Sequence, residues 1–336
     1  MIIGILKETF PEETRIAATP QTTASFQKAG FDVWIEQSAG IKAGFEDNLF
    51  KQSGAKIKKD KKEILKNADI ILKINAPDKE ETTLYKQKAT LIGNLQNLSQ
   101  PVIESLKTKH AICFALEKMP RLSRAQPFDI LSSQNNLAGY QAVIKAASLT
   151  KNIFPMMITS AGTLPPLKVL VIGIGVAGLQ AVATAKRLGA KVYAYDIREE
   201  AKEQSQSLGA VFIENIKSFL PETNILITSA FSAGKKAPLL IKKADIDLMP
   251  AGAVLIDMAA EFGGNIEGSL NGKTILYQSK LIDGNSRLET EIPTSASILF
   301  ANNLLNFVKF LTSNATDKIS VDMTDPILKE TCIMKG

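Results

Sequence analysis

Residues 169–172 form an apolar run that leads into Gly173-Ile174-Gly175-Val176-Ala177-Gly178, and an apolar-periodic stretch follows at 179–188. A second apolar run at 191–195 ends on Asp196. Strand, glycine turn, helix and strand in this order restrict the fold more than any other part of the chain. Gly173 permits the tight turn, Gly175 lets the backbone approach a pyrophosphate, and Gly178 lets the helix pack close on the strand. The amides that open the helix have no partners inside it, so they and the helix dipole favour an anion. Asp196 lies 18 residues beyond Gly178, close to the spacing at which a carboxylate reaches ribose hydroxyls. The pattern predicts a dinucleotide site, and Asp196 favours NAD over NADP because its charge repels a 2′-phosphate. An arginine two residues on can accommodate that phosphate, but Arg198 reads more simply as a solvated side chain at a strand end.

Composition narrows the remaining classes. The 336 residues are 45% hydrophobic and 22% charged, which suits a globular protein with an ample core and about two domains. The net charge of +6 comes largely from scattered lysines. Lys56, Lys58, Lys59, Lys61 and Lys62 read as a solvated helix start. No aromatic residues are interleaved with them to stack on bases, so no nucleic-acid partner is expected. Cys113 and Cys332 lie far apart without a C-x-x-C pattern, which supports neither a disulfide framework nor a zinc site. Cys113, inside the apolar run 111–115, is expected in the core. Lys7 and Glu8 interrupt the N-terminus too early for a signal peptide, and no apolar stretch is long enough to span a bilayer. A cytoplasmic location follows, unless a partner holds the protein at a membrane.

The first third alternates strand signals at 32–36, 70–74, 89–92 and 111–116 with helical stretches at 20–28, 61–67 and 100–107, which predicts a parallel sheet. A long helical stretch covers 132–151 and breaks near Pro155. The loop 159–163 and the pair Pro165-Pro166 then lead into the glycine-turn strand. Beyond Asp196 the sequence predicts a helix at 199–207, strands at 210–213, 225–228, 254–257 and 274–277, and a second long helix at 295–311. Two long helices bracketing the nucleotide unit point to two Rossmann-like, doubly wound parallel-sheet α/β domains, the second inserted into the first. The first would comprise 1–133 plus 303–336, and the second 134–302. The tail 312–336 is polar and reads as irregular.

The segment 117–140 crowds Arg121, Arg124, Gln126, Asp129, Ser132 and Ser133 into the start of a helix. A local account has Asp129 or Ser132 capping that helix and the arginines pairing with Glu117 and Asp129. The polar density exceeds what capping needs. Together with Phe154-Pro155-Met156-Met157 and the glycine turn, the segment resembles the NAD(H)-binding alpha subunit, or its separately encoded first portion, of proton-translocating NAD(P) transhydrogenases, in the alanine dehydrogenase/transhydrogenase alpha family. The similarity extends from residue 1 to about 311. The opening Gly4-Ile5-Leu6-Lys7-Glu8, with Arg15-Ile16-Ala17-Ala18-Thr19-Pro20, is shared with alanine dehydrogenases.

The resemblance implies roles for individual residues. Gln126 and Ser132 would hydrogen-bond the carboxamide or ribose at the nicotinamide end, with Arg121 and Asp129 organising that cluster; Gln126 and Asp129 are the catalytic candidates. Gly175 and Val176 match pyrophosphate contacts, and Asp196 and Arg198 the adenosine-ribose end. Ala230 and Phe231 match a loop that lies along the cofactor. The resemblance also implies a homodimer, bound NAD(H), and separate membrane-spanning and NADP(H)-binding partner subunits that would hold this chain peripherally at the membrane.

Chemistry separates the two relatives. An amino-acid dehydrogenase must anchor a substrate carboxylate and move a proton, so it needs cations and an acid/base group. Arg15 and Lys73 match the anchoring positions of alanine dehydrogenases, but their histidine has no counterpart near 90–94, and Glu261 stands where they place a catalytic Asp. His110, the single histidine, reads as a loop end. Hydride exchange between two nicotinamides needs no acid or base, only two rings held at about 3–3.5 Å between reacting atoms with water excluded. One departure from the transhydrogenase pattern is clear: the family's long mobile insertion is replaced by the short link 214–224. A free-standing amino-acid dehydrogenase, on the strength of Arg15 and Lys73, and a non-catalytic NAD(H)-binding relative that has lost its lid stay open as alternatives.

Overall fold

The computed structural model describes residues 1–231, 235–312, 319 and 321–336. Six short strands come first: β1 (Ile2–Ile5), β2 (Asp32–Glu36), β3 (Lys56–Lys58), β4 (Ile70–Lys73), β5 (Thr90–Gly93) and β6 (Ile112–Ala115). They pair in parallel in the order β6-β5-β4-β1-β2-β3. Every residue of β4 and β5 is buried, including Lys73 and Thr90 at strand ends, and their apolar centres at Ile70 to Leu72 and at Leu91 and Ile92 fit a sheet that helices cover on both faces. Ile3, Ile5, Ile92 and Phe114 belong to one core, and Ile71, Leu91, Cys113 and Ala115 to another. Burial pushes the Cys113 thiol up to about 12. The helix Pro20–Lys28 opens with proline and a Thr19–Thr22 capping box. The lysine run is not one helix start. Lys56–Lys58 forms the short edge strand, with Lys56 bonded to Asp32 at 2.7 Å, and a helix begins only at Lys61, capped by Asp60.

The next strands are β7 (Met157–Thr159), β8 (Gly162–Leu164), β9 (Lys168–Ile172), β10 (Lys191–Tyr195), β11 (Val211–Phe212), β12 (Ile225–Thr228), β13 (Val254–Asp257), β14 (Thr274–Tyr277) and β15 (Lys280–Asp283). β7 and β8 make an exposed antiparallel hairpin where the sequence suggests a loop. The others form a second sheet in the order β11-β10-β9-β12-β13-β15-β14, parallel except for β14. Strand order reverses between β9 and β12. Doubly wound sheets bind ligands outside the carboxyl ends of the strands at such a switch point.

The chain forms two units, Met1–Gln134 with Ile292–Gly336, and Asn135–Glu291. It returns to the first unit at Ile292 and not at 303. The helix Pro293–Leu311 explains this: Phe300, Leu304, Phe307 and Val308 all join the first unit's core, and Phe307 packs edge-on against Phe114 and Phe128. The end of the chain is not irregular throughout. A helix spans Pro326–Thr331, and β16 (Cys332–Lys335) adds antiparallel to β6 as an edge strand. Residues 313–318 and 320 of that tail lie outside the described residues.

Candidate functional site

In the second unit the three glycines do different work. Gly173 has φ +89°, and a Cβ on it would lie 2.9 Å from the amide nitrogen of Ala230. A Cβ on Gly178 would lie 1.9 Å from the Gly173 carbonyl oxygen, so only glycine allows this helix–turn approach. Gly175 has φ −83° and faces open space, with nothing within 4 Å of a Cβ placed there. It is the N-cap of the helix Val176–Arg187 and offers no side chain to the first amides. Those amides, with exposed Val176 beside them, form a cradle that suits a pyrophosphate.

Asp196 follows the last residue of β10 and turns back on the glycine loop. Its Oδ2 accepts the Ile174 amide at 2.6 Å, and Oδ1 accepts the Arg198 amide at 2.9 Å. Arg198 is not merely solvated. Its Nε and Nη2 donate to the two Asp196 oxygens at 3.0 and 2.9 Å, and Nη2 also donates to the Ile174 carbonyl at 2.9 Å. Burial disfavours the Asp196 charge, but the hydrogen bonds from Arg198 and Ile174 outweigh it and hold the carboxyl below its usual range. Ala230 and Phe231 lie one residue past the end of β12, and the Phe231 ring stacks on Phe262 at 4.9 Å between centroids. Ser229 Oγ, which the sequence did not single out, donates to the Gly173 carbonyl at 2.8 Å. Glu261 is exposed, and its amide donates to Ser286 Oγ at 2.9 Å.

The polar residues from Arg121 to Ser133 belong to the first unit. Arg121 and Gln126 are exposed, while Asp129 and Ser132 are half-buried in mutual contact. Asp129 Oδ1 accepts the Ser132 amide at 2.9 Å and Oδ2 accepts the Ser132 hydroxyl at 2.5 Å, a capping arrangement at the start of the helix Ile130–Leu149. Arg124 pairs through both terminal nitrogens with Asp325, and with neither Glu117 nor Asp129.

The two cations expected to anchor a carboxylate are already engaged by the chain's own acids. Lys73 is 1% exposed and lies 3.5 Å from Glu8 and 3.2 Å from Glu81. Burial alone would lower the Lys73 pKa, but the two carboxylates raise it. Arg15 donates through Nε and Nη2 to Glu13 at 2.8 and 2.7 Å, and through Nη1 to Gln134 at 2.9 Å. Glu8, just past β1, also accepts the amide of Ile74, just past β4, at 2.7 Å, where the strand order of the first sheet reverses. Glu8, Glu13 and Glu81 are ordinary acids in the sequence, and only the fold reveals this network.

Residues 4–138 match the family described as Alanine dehydrogenase/PNT, N-terminal domain, and residues 142–336 its C-terminal domain. The chain belongs to the alanine dehydrogenase/PNT family. It is 39% identical to the first portion of the NAD(P) transhydrogenase alpha subunit of Rhodospirillum rubrum, across all of this chain and 96% of that protein. That match runs over 370 positions against the 336 residues here, so the relative carries segments with no counterpart in this chain. Alanine dehydrogenase of Bacillus subtilis is 30% identical over 80% of the chain and 72% of its own length. The crystal structure of transhydrogenase from Sinorhizobium meliloti superposes with a TM-score of 0.93 at 39% identity, covering all of this chain and 98% of that one. In this family member the link after β11 is compact: a helical turn at Ile216–Phe219 and a 3-10 turn at Leu220–Glu222, with Leu220 buried. Among the described residues no helix is long and apolar enough to cross a membrane.

Proposed function

We propose that this chain is the NAD(H)-binding subunit of a proton-translocating NAD(P) transhydrogenase, active with a membrane-spanning subunit and a subunit that holds NADP(H). The observation that carries it is the sealing of Lys73 between Glu8 and Glu81 while the Gly175 cradle stays open. A protein of this family that turned over an amino acid would need a free cation for its carboxylate. Bound NADH would supply a hydride for NADP⁺ on the partner. The chain's own residues bind and orient: Gly173, Gly175, Val176 and Gly178 shape the pyrophosphate end, and Asp196 takes the ribose hydroxyls. Arg198, tied to Asp196 and Ile174, is withheld from a 2′-phosphate and so favours NAD. Ala230 and Phe231 form one wall. Gln126, Asp129, Ser132 and Arg121 serve the nicotinamide end, where Asp129 and Ser132 order each other and leave the exposed Gln126 amide to bond the carboxamide.

A homodimer is included in this proposal. The β7–β8 hairpin carries Met157, Ile158 and Leu164 at 44, 72 and 52% exposure, an apolar surface that a second copy would cover. The test is reconstitution. NADH fluorescence titration should show binding, and adding NADP(H)-loaded partner subunit should give hydride exchange with a NADH analogue. Reduction of NAD⁺ by L-alanine with the chain alone would refute the proposal in favour of an amino-acid dehydrogenase. NADH binding without exchange would favour a non-catalytic relative that has lost the mobile loop, with only the short link 214–224 in its place.

A further inference from the structure

The carboxyl ends of β12 and β13 carry a buried polar network of their own. Asp257 is fully buried, and its carboxylate accepts the amides of Ala259 at 3.0 Å, Asn265 at 3.0 Å and Ile266 at 3.1 Å. The chain wraps round this carboxylate through Gly263 and Gly264, at φ +101° and +76°. A Cβ on Gly264 would lie 2.8 Å from Asp257 Oδ2, so the wrap needs glycine on steric grounds as well. It delivers Asn265, itself fully buried, to the loop after β12.

There Asn265 grips one residue at both ends. Its Oδ1 accepts the Ala230 amide at 3.0 Å, and its Nδ2 donates to the Ala230 carbonyl at 2.8 Å and to the Pro238 carbonyl at 2.8 Å. A carboxamide supplies acceptor and donor side by side, which neither a carboxylate nor a hydroxyl can match at this length. Ala230 in turn abuts Gly173, and Ser229 bonds the Gly173 carbonyl. The network thus runs from Asp257 through Asn265 and Ala230 to the first glycine of the turn, across the switch point between β9 and β12.

We propose that Asn265 is a positioning residue for the dinucleotide: by clamping Ala230 it sets the wall of the crevice opposite the glycine turn. This rests on the assignment of that turn to NAD(H). The experiment is NADH fluorescence titration of the full chain, with melting temperature recorded in parallel, for wild type, Asn265→Ala and Asn265→Ser. A core variant of comparable melting loss, Ile282→Ala in β15, is the structural control. Both Asn265 variants should weaken NADH about tenfold, the loss of roughly one buried hydrogen-bonded contact, while Ile282→Ala stays within about twofold of wild type. An affinity within about twofold of wild type in either folded Asn265 variant would overturn the clamp. So would an equal loss in Ile282→Ala, which would make the effect one of stability alone. If wild type itself fails to bind NADH, the NAD(H) assignment falls and the clamp with it; binding that survives the loss of Asn265 removes the clamp only.

Discussion

Replacing Gly175 by alanine separates fold from function at the centre of the site. The backbone there has φ −83° and ψ −163°, which any L residue adopts, and the added methyl meets nothing within 4 Å. Two small folding terms oppose each other. Restricting the unfolded chain stabilises by about 0.4–1 kcal/mol, and exchanging glycine for alanine at an N-cap costs a similar amount. The net change in stability should therefore lie within about 1 kcal/mol of zero. Binding should respond very differently, because the methyl occupies the space through which a pyrophosphate reaches the first helical amides. Losing one charge-assisted hydrogen bond of about 1.5–3 kcal/mol weakens affinity roughly 10- to 100-fold. Urea denaturation and NADH fluorescence titration on the same preparation measure both quantities. A dissociation constant unchanged in a fully folded Gly175→Ala protein would refute the pyrophosphate cradle. A stability loss well beyond about 1 kcal/mol would refute the claim that the space in front of Gly175 is open. Gly178→Ala is the complementary case, since its methyl would overlap the Gly173 carbonyl at 1.9 Å and should cost folding first.

Further outcomes follow from the charged groups. Asp196→Ala should weaken NADH about tenfold or more and release Arg198, so the preference for NADH over NADPH should narrow; an unchanged preference in paired titrations would show that Arg198 is not governed by Asp196. Burial opposes ionisation of Glu13, yet the Arg15 guanidinium and Asn75 hold its carboxyl at about 2, against an ordinary 4.5. Its folded pKa is depressed, so the stabilisation is complete above about pH 4.5 and is lost as pH falls towards 2. The amount is on the order of 3 kcal/mol. Urea midpoints measured from pH 6 to 3 should fall less steeply for Glu13→Gln than for wild type, and parallel slopes would contradict the assignment. Finally, Ile158→Lys in the exposed hairpin should shift a wild-type dimer towards monomer in sedimentation velocity without altering NADH affinity.

The sequence by itself determined the glycine turn and much of the order of the elements, because these depend on neighbours a few residues apart. Positive φ at Gly173, the close approach at Gly178 and the acid after the next strand are local requirements, and each is visible in the residue types. The same holds for the buried strands β4, β5, β9 and β12, whose apolar runs follow from cover on both faces of a parallel sheet. What the tertiary structure alone decided involves partners far apart in the chain. Arg124 has Glu117 and Asp129 close by in sequence but meets Asp325, 201 residues away. Lys73 matches an anchoring cation, yet the fold encloses it with Glu8 and Glu81. The helix 293–311 goes wholly to the first unit because its buried face matches that core, which moves the boundary to Ile292. β16 is four residues of unremarkable sequence that become a strand only because β6 presents an open edge to it. Asn265 carries no sequence signal, since a clamp on Ala230 exists only once two loops 35 residues apart are brought together. Local chemistry marks where a dinucleotide can lie; long-range packing sets which side chains remain free to meet it.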